Sequence, residues 1–357
     1  MMKFIKILLS GVACIIVLII IVNIANIIQL HREDTENIDL YLPLGRTDKK
    51  VIESFTKLCR PTTLPQENFP KKFIGLSANI VSMIDEQYYG LMKELDMNWM
   101  RVFISWRSIE RPDGTYDWSI TDATVNDTKK HNIHLLVTLN VLPTHLHTWD
   151  DIDEHYRKFI RAFAERYTKE GVNYFEILNE PNLPGEGWLD KVTKPEGYIG
   201  EYAIILAIAN EEIHKVNPTA VILNGGISSD DVHGMSYRTF LSQMLSYGTE
   251  SCFDVLAFHP YGHEARFATT TKELRDILVQ YKVGERPIWF NEYGTDEDKR
   301  LPYTIESMYK EKDVVDAWFW YTLRDLRPNH RWGYGLTEYD YVKKDAFEIF
   351  KEYFVTK

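Results

Sequence analysis

Eight short runs rich in β-branched and aromatic residues recur between Phe73 and Tyr321, each followed by a longer stretch with helical periodicity. They are Phe73–Leu76, Trp99–Ile104, Ile133–Leu139, Tyr174–Leu178, Ala220–Asn224, Asp254–Phe258, Pro287–Phe290 and Val314–Tyr321. Such alternation is that of βα units around a parallel sheet. The intervening stretches are amphipathic: in 151–169, Ile152, Tyr156, Phe159, Ile160, Phe163 and Tyr167 share one face, and 343–354 closes the series. Eight units in this length predict an α/β chain closed into a (β/α)8 TIM barrel, whose reactive groups gather at the carboxyl ends of the strands. A doubly wound open sheet is the competing arrangement. No GxGxxG or GxxxxGKS/T follows the first run, so nucleotide binding is not expected.

Ahead of the barrel, residues 7–30 form a stretch of 24 without a charge, dominated by Ile, Val and Leu. At about 1.5 Å per residue such a helix spans a hydrocarbon core of roughly 30 Å. It exceeds the apolar stretch of about 7 to 15 residues usual in a cleaved signal peptide. An uncleaved single transmembrane helix over residues 1–30 is therefore expected. Lys3 and Lys6 flank one side, whereas Arg32 on the other is offset by Glu33 and Asp34, which places the bulk of the chain outside the cytoplasm. Residues 31–70, polar and punctuated by proline, read as a linker, and 71–357 as the barrel domain.

Composition narrows the partners. The 52 acidic against 41 basic side chains argue against a nucleic-acid surface. An aromatic content of 13% exceeds what most cores need, and surplus rings in a cleft suit sugars. Cys14, Cys59 and Cys252 form neither a disulfide framework nor a metal-ligand spacing; a Cys59–Cys252 bridge is allowed but not favoured.

Chemistry is concentrated where the runs end. The second carries Arg101. The fourth ends Glu176-Ile-Leu-Asn179-Glu180-Pro181-Asn182, the sixth Phe258-His259-Pro260-Tyr261, the seventh Asn291-Glu292-Tyr293-Gly294 and the eighth Trp318-Phe319-Trp320-Tyr321. Strands four and seven lie on opposite sides of a barrel mouth, so Glu180 and Glu292 can flank one bond. Acetal cleavage needs that pair, one carboxyl to protonate the leaving oxygen and one to capture the oxocarbenium-like carbon. Glu176 shares the pleat parity of Glu180 and is expected deeper, in a structural ion pair.

Asn179-Glu180-Pro181 and Asn291-Glu292-Tyr293-Gly294, in this strand order, resemble the retaining glycoside hydrolases of clan A, (β/α)8 enzymes that include cellulase-like family 5 and xylosidase-like family 39. The resemblance covers roughly residues 70–355. It implies Glu180 as acid/base, Asn179 as partner of the sugar 2-hydroxyl and Glu292 as nucleophile. It further implies that Tyr261 bonds the nucleophile, that His259 lies near the acid/base, that Arg101 keeps the nucleophile charged and that Trp320 floors the subsite of the sugar to be cleaved. Within the clan the chain resembles short family 39-like hydrolases encoded with exopolysaccharide synthesis systems. It departs from that family's xylosidases by ending just after the eighth helix.

Weaker candidates follow the second and third runs. Trp106 is carried as a sugar contact, Trp118 as packing, in a loop similar to the clan's Trp…Ile-Glu-Pro…Gly-x-Tyr-x-Trp segment, with Arg111 displacing the proline by one. His145, or His147 beside it, is carried as a cleft residue. His259 and His263 have an i, i+4 spacing, but Pro260 and Gly262 disfavour a zinc-binding helix. No metal or organic cofactor is expected. The sequence thus predicts a membrane-anchored retaining β-glycosidase acting, in endo fashion, on an extracytoplasmic polysaccharide. A catalytically silent glycan-binding barrel assisting export is the alternative; a Schiff-base lyase lacks the strand-end lysine it would need.

Overall fold

The computed structural model describes residues 48–78, 84–146, 149–183, 195–230, 234–327 and 333–356. The apolar 7–30 segment lies outside them. Among the described residues no helix is long and apolar enough to cross a membrane. Eight parallel strands close into a barrel in sequence order: β1 Phe73–Ala78, β2 Trp99–Ser105, β3 His134–Asn140, β4 Tyr174–Asn179, β5 Val221–Ser228, β6 Leu256–His259, β7 Ile288–Tyr293 and β8 Ala317–Trp320. The helices that position the site are α1 Lys49–Thr56, α2 Glu86–Glu94, α3 Trp106–Ile109, α4 Ser119–Lys130, α5 Trp149–Tyr167 and α6 Pro195–Val216.

All eight expected strands form, with shifted ends. β6 starts at Leu256 because the Asp254 carboxylate instead accepts the backbone N–H groups of Thr62 and Ile222. β8 starts at Ala317 because Val314 closes a turn onto Glu311.

Alternation along each strand sorts side chains into two apolar layers. One faces the helices: on α5, Ile152, Tyr156, Phe159, Ile160, Phe163 and Tyr167 are all buried, as their spacing requires. The other fills the lower barrel with rings, Phe73 stacked on Trp99 at 4.6 Å and Trp289 set 5.9 Å from Trp99 and 5.8 Å from Tyr174. Much of the aromatic surplus is thus used in a plug below the site.

Two expectations are corrected at the amino-terminal side. Residues 48–70 are not a free linker. Asp48 caps α1, Ile52 is fully buried in the space that Gly200 leaves on α6, and Phe69 joins the lower core. Asn210 of α6 then bonds both the N–H and the C=O of Arg60. This docking brings Cys59 and Cys252, 193 residues apart, to a Cα separation of 4.8 Å, and they form the disulfide that spacing alone did not favour.

Candidate active site

The upper barrel is polar where the lower is aromatic. Arg101, completely buried at the middle of β2, spreads its guanidinium over three strands. Its Nε and Nη2 grip Glu176 of β4 at 2.6 and 3.0 Å, Nη1 donates to Glu292 of β7 at 2.5 Å, and Nη2 also donates to Asn179 at 2.8 Å. Ser77 of β1 accepts from Nη1 at 3.1 Å. Glu176 is saturated, taking further bonds from Thr138, Asn291 and the N–H of Gly226. Burial raises its carboxyl pKa, but the charge and paired hydrogen bonds of Arg101 outweigh that and hold it below the ordinary range. The ion pair expected for Glu176 is present, and its partner is the arginine that also binds Glu292.

Glu292 reaches the mouth through an irregularity in β7. Register shifts between Phe290 and Tyr293, both of which face the helices, so Asn291 and Glu292 are both left facing the barrel axis. The second oxygen of Glu292 accepts from the Tyr261 hydroxyl at 2.9 Å. Burial, then the negative charge of Glu292, pushes the Tyr261 phenol far above its usual pKa, so it stays a donor.

Across the mouth, the chain leaves β4 through left-handed backbone at Leu178 (φ 65°) and Glu180 (φ 41°), a conformation side-chain-bearing residues adopt rarely. Asn182 holds this bend by bonding the C=O and N–H of Ser228 and the C=O of Met235. Glu180 Oε1 lies 2.8 Å from His259 Nδ1. Room for that histidine depends on Gly226, since a Cβ there would come within 2.0 Å of His259 Nε2.

Glu180 and Glu292 both line one cleft of about 870 Å³, walled by Phe103, Tyr261, Tyr321 and Tyr334. Of the expected residues, Arg101, Asn179, Glu180, His259, Tyr261 and Glu292 are brought together. Three are not. Trp320 is fully buried on the helix side of β8, 5.7 Å from Phe350, because Phe319 faces the axis and its neighbour must face away. Tyr321 occupies the cleft position instead. Trp106 is buried against Phe159, its indole donating to Glu110. His145 lies beside Glu110 and does not line the cleft. Ser105, Asn140, Asp230 and Tyr334 line it unforeseen; for Asn140, parity with the inward Thr138 was the available signal.

A closed parallel barrel with two carboxylates at the ends of β4 and β7, one of them ion-paired to a β2 arginine, defines the O-glycosyl hydrolases of clan A. The family model of cellulase, glycosyl hydrolase family 5, matches residues 64–326, and the chain belongs to that family. No curated protein matches it in sequence. Among solved structures it is similar to a family 39 glycoside hydrolase from Bacteroides cellulosilyticus WH2 (17% identity, TM-score 0.62, 81% of this chain and 64% of that one). A glucosidase from Croceicoccus marinus is matched at 15% identity and TM-score 0.61, over 79% of this chain and 68% of that one. The endo-1,4-beta-mannanase of Rhizomucor miehei is matched at 18% identity and TM-score 0.55, over 84% and 98%. The chain therefore spans about two thirds of the length of the first two and nearly all of the third.

Proposed function

We propose that the enzyme is a retaining β-glycosidase, with Glu292 as nucleophile and Glu180 as acid/base, acting on a polysaccharide outside the cytoplasm. The observation that carries this reading is the unequal surroundings of the two carboxyl groups in one cleft. Glu292 meets a guanidinium at 2.5 Å and a phenol at 2.9 Å, whereas Glu180 meets only an imidazole among the hydrogen-bonding side chains described. A nucleophile benefits from fixed positive charge, and an acid from a partner able to share its proton.

In the first step Glu180 gives its proton to the glycosidic oxygen while a Glu292 oxygen bonds the anomeric carbon, and the C–O bond to the leaving sugar breaks. In the second, Glu180 takes a proton from water, the water oxygen attacks the same carbon, and the bond to Glu292 breaks. Two inversions give retention, which calls for carboxyl groups about 5 to 5.5 Å apart. Asn179, which lines the cleft with its Oδ1 held by Arg101, would bond the sugar 2-hydroxyl.

An open cleft with four aromatic walls suits endo cleavage of a chain. The likeness to a β-1,4-mannanase supports a β-linked substrate. The Cys59–Cys252 disulfide agrees with an oxidising, extracytoplasmic compartment, to which residues 7–30 would anchor the enzyme. The test is release of reducing ends from a panel of β-linked polysaccharides by the full chain, with product anomers followed by NMR. Retained β-configuration supports the reading. Silence with glycan binding intact would move it to a binding barrel that assists export.

A further inference from the structure

Behind the cleft wall lies a second polar cluster that the proposed hydrolysis does not use. Glu110 closes the short helix α3, and its carboxyl group has no solvent exposure. Among the described residues no lysine or arginine pairs with it, and its charged partners are His145, from the loop after β3, and His155, on α5. Oε1 lies 3.4 Å from His145 Nε2 and in direct contact with His155 Nδ1, and the three atoms lie within 4.8 Å of one another. Oε2 is turned away and fixed by the Trp106 indole at 2.6 Å.

The geometry points to a divalent transition-metal site of the zinc class on Glu110 Oε1, His145 Nε2 and His155 Nδ1. Two imidazoles and one carboxylate are a ligand set that zinc prefers over the harder calcium and magnesium ions. Metal bonds of about 2.0 to 2.1 Å in tetrahedral geometry put ligand atoms roughly 3.3 Å apart. The observed spacings bracket that value, so small ring movements seat an ion. The rings, with centroids 6.2 Å apart and planes inclined at 75°, are both partly exposed, which leaves a fourth position open to solvent. The indole on Oε2 is the outer hydrogen bond that orients a ligating carboxylate. A buried carboxylate whose basic partners among the described residues are histidines alone also gains from a fixed positive charge, and a cation supplies it directly.

Such an ion would tie α5 to two segments that carry the cleft wall. Ser105 lines the cleft just before α3, Asn140 and Val141 line it just before the His145 loop, and Arg107 already bonds the carbonyls of Val141 and Leu142. Its role is that of a clamp, separate from the reacting carboxylates. The ligands escape a spacing search because they lie 35 and 10 residues apart on two loops and a helix. His147 lies outside the described residues.

The test uses the full chain purified without a polyhistidine tag, stripped with a chelator and equilibrated with ZnCl2. Metal analysis after dialysis should find one ion per chain. His145→Ala and His155→Ala should each weaken binding at least tenfold, and Trp106→Phe should weaken it about 10- to 100-fold. Cobalt(II) should give the visible absorption of a tetrahedral site in the native chain and lose it in His155→Ala. If a variant misfolds, stoichiometry and the cobalt spectrum of the native chain still decide. Substoichiometric zinc, or equal binding by the double histidine variant, overturns the site and leaves a proton-shared cluster. Activity enters none of these readouts, so the result stands apart from that of the proposed hydrolysis.

Discussion

Arg101 and Glu292 meet at 2.5 Å with the arginine wholly buried, and the same guanidinium is clasped from below by Glu176. One positive charge thus serves two carboxylates at different depths. Glu292→Gln keeps the shape but removes the proposed nucleophile, and turnover should fall on the order of 10⁴-fold or more. Folding, by circular dichroism, and glycan binding should persist. Activity near that of the native enzyme would reject Glu292 as nucleophile.

Glu180→Ala should lose about 10² to 10⁴-fold on substrates with poor leaving groups. Much less should be lost on an activated aryl glycoside. Azide should restore turnover there and give a glycosyl azide of retained configuration. An inverted azide product would instead assign the two glutamates to an inverting mechanism.

Tyr321 and Trp320 are neighbours with opposite surroundings, one in the cleft and one in the core. Tyr321→Ala should raise KM on the order of tenfold, equivalent to ~1.4 kcal/mol, with little change in Tm. Trp320→Ala should cost about 3 to 5 kcal/mol of stability and lower Tm, leaving KM nearly unchanged in the folded fraction. The reverse pattern would restore Trp320 as the cleft ring.

Reducing Cys59–Cys252, or replacing either cysteine by serine, should lower stability by about 2 to 5 kcal/mol, since the bridge closes a loop of 193 residues. Denaturant melts with and without reductant measure this. Coincident curves would show that docking of α1 alone carries the segment.

Glu201 on α6 is buried, and its Oε2 finds no partner among the described residues. Burial alone pushes its carboxyl up to about 8 from 4.5. A raised acid is neutral in the folded chain, so its contribution is favourable at low pH and is lost as pH rises from about 4.5 through 8. Glu201→Gln should therefore match the native stability near the acid end of that window and exceed it above by up to a few kcal/mol, read as a higher Tm. A constant difference across the range would refute the assignment.

Strand number, barrel closure and both mouth glutamates were legible because each rests on local pattern, apolar runs and the residues that end them. The Trp320 error has a physical origin: a strand end read from residue type ignores the two-residue period that Phe319 sets. Tyr334 and Asp230 escaped because they come from loops whose course only tertiary packing decides. The Cys59–Cys252 pairing escaped for the same reason, since it goes with the docking of Ile52 and Arg60 on α6. The left-handed turn at Glu180 also left no mark in composition, because a network anchored on Asn182 holds it.

Glu176 has no exposed surface, yet it is bonded from β2, β3, β5 and β7 at once. Substitutions on those strands will not act independently, because each alters the same buried anion. Replacing one member of this set therefore calls for compensating changes in the others. The rings at the rim meet instead as edge contacts, Tyr334 against Tyr261 and Tyr321, so a substitution at Tyr321 or Tyr334 reshapes the cleft while every bond to that buried anion stays in place.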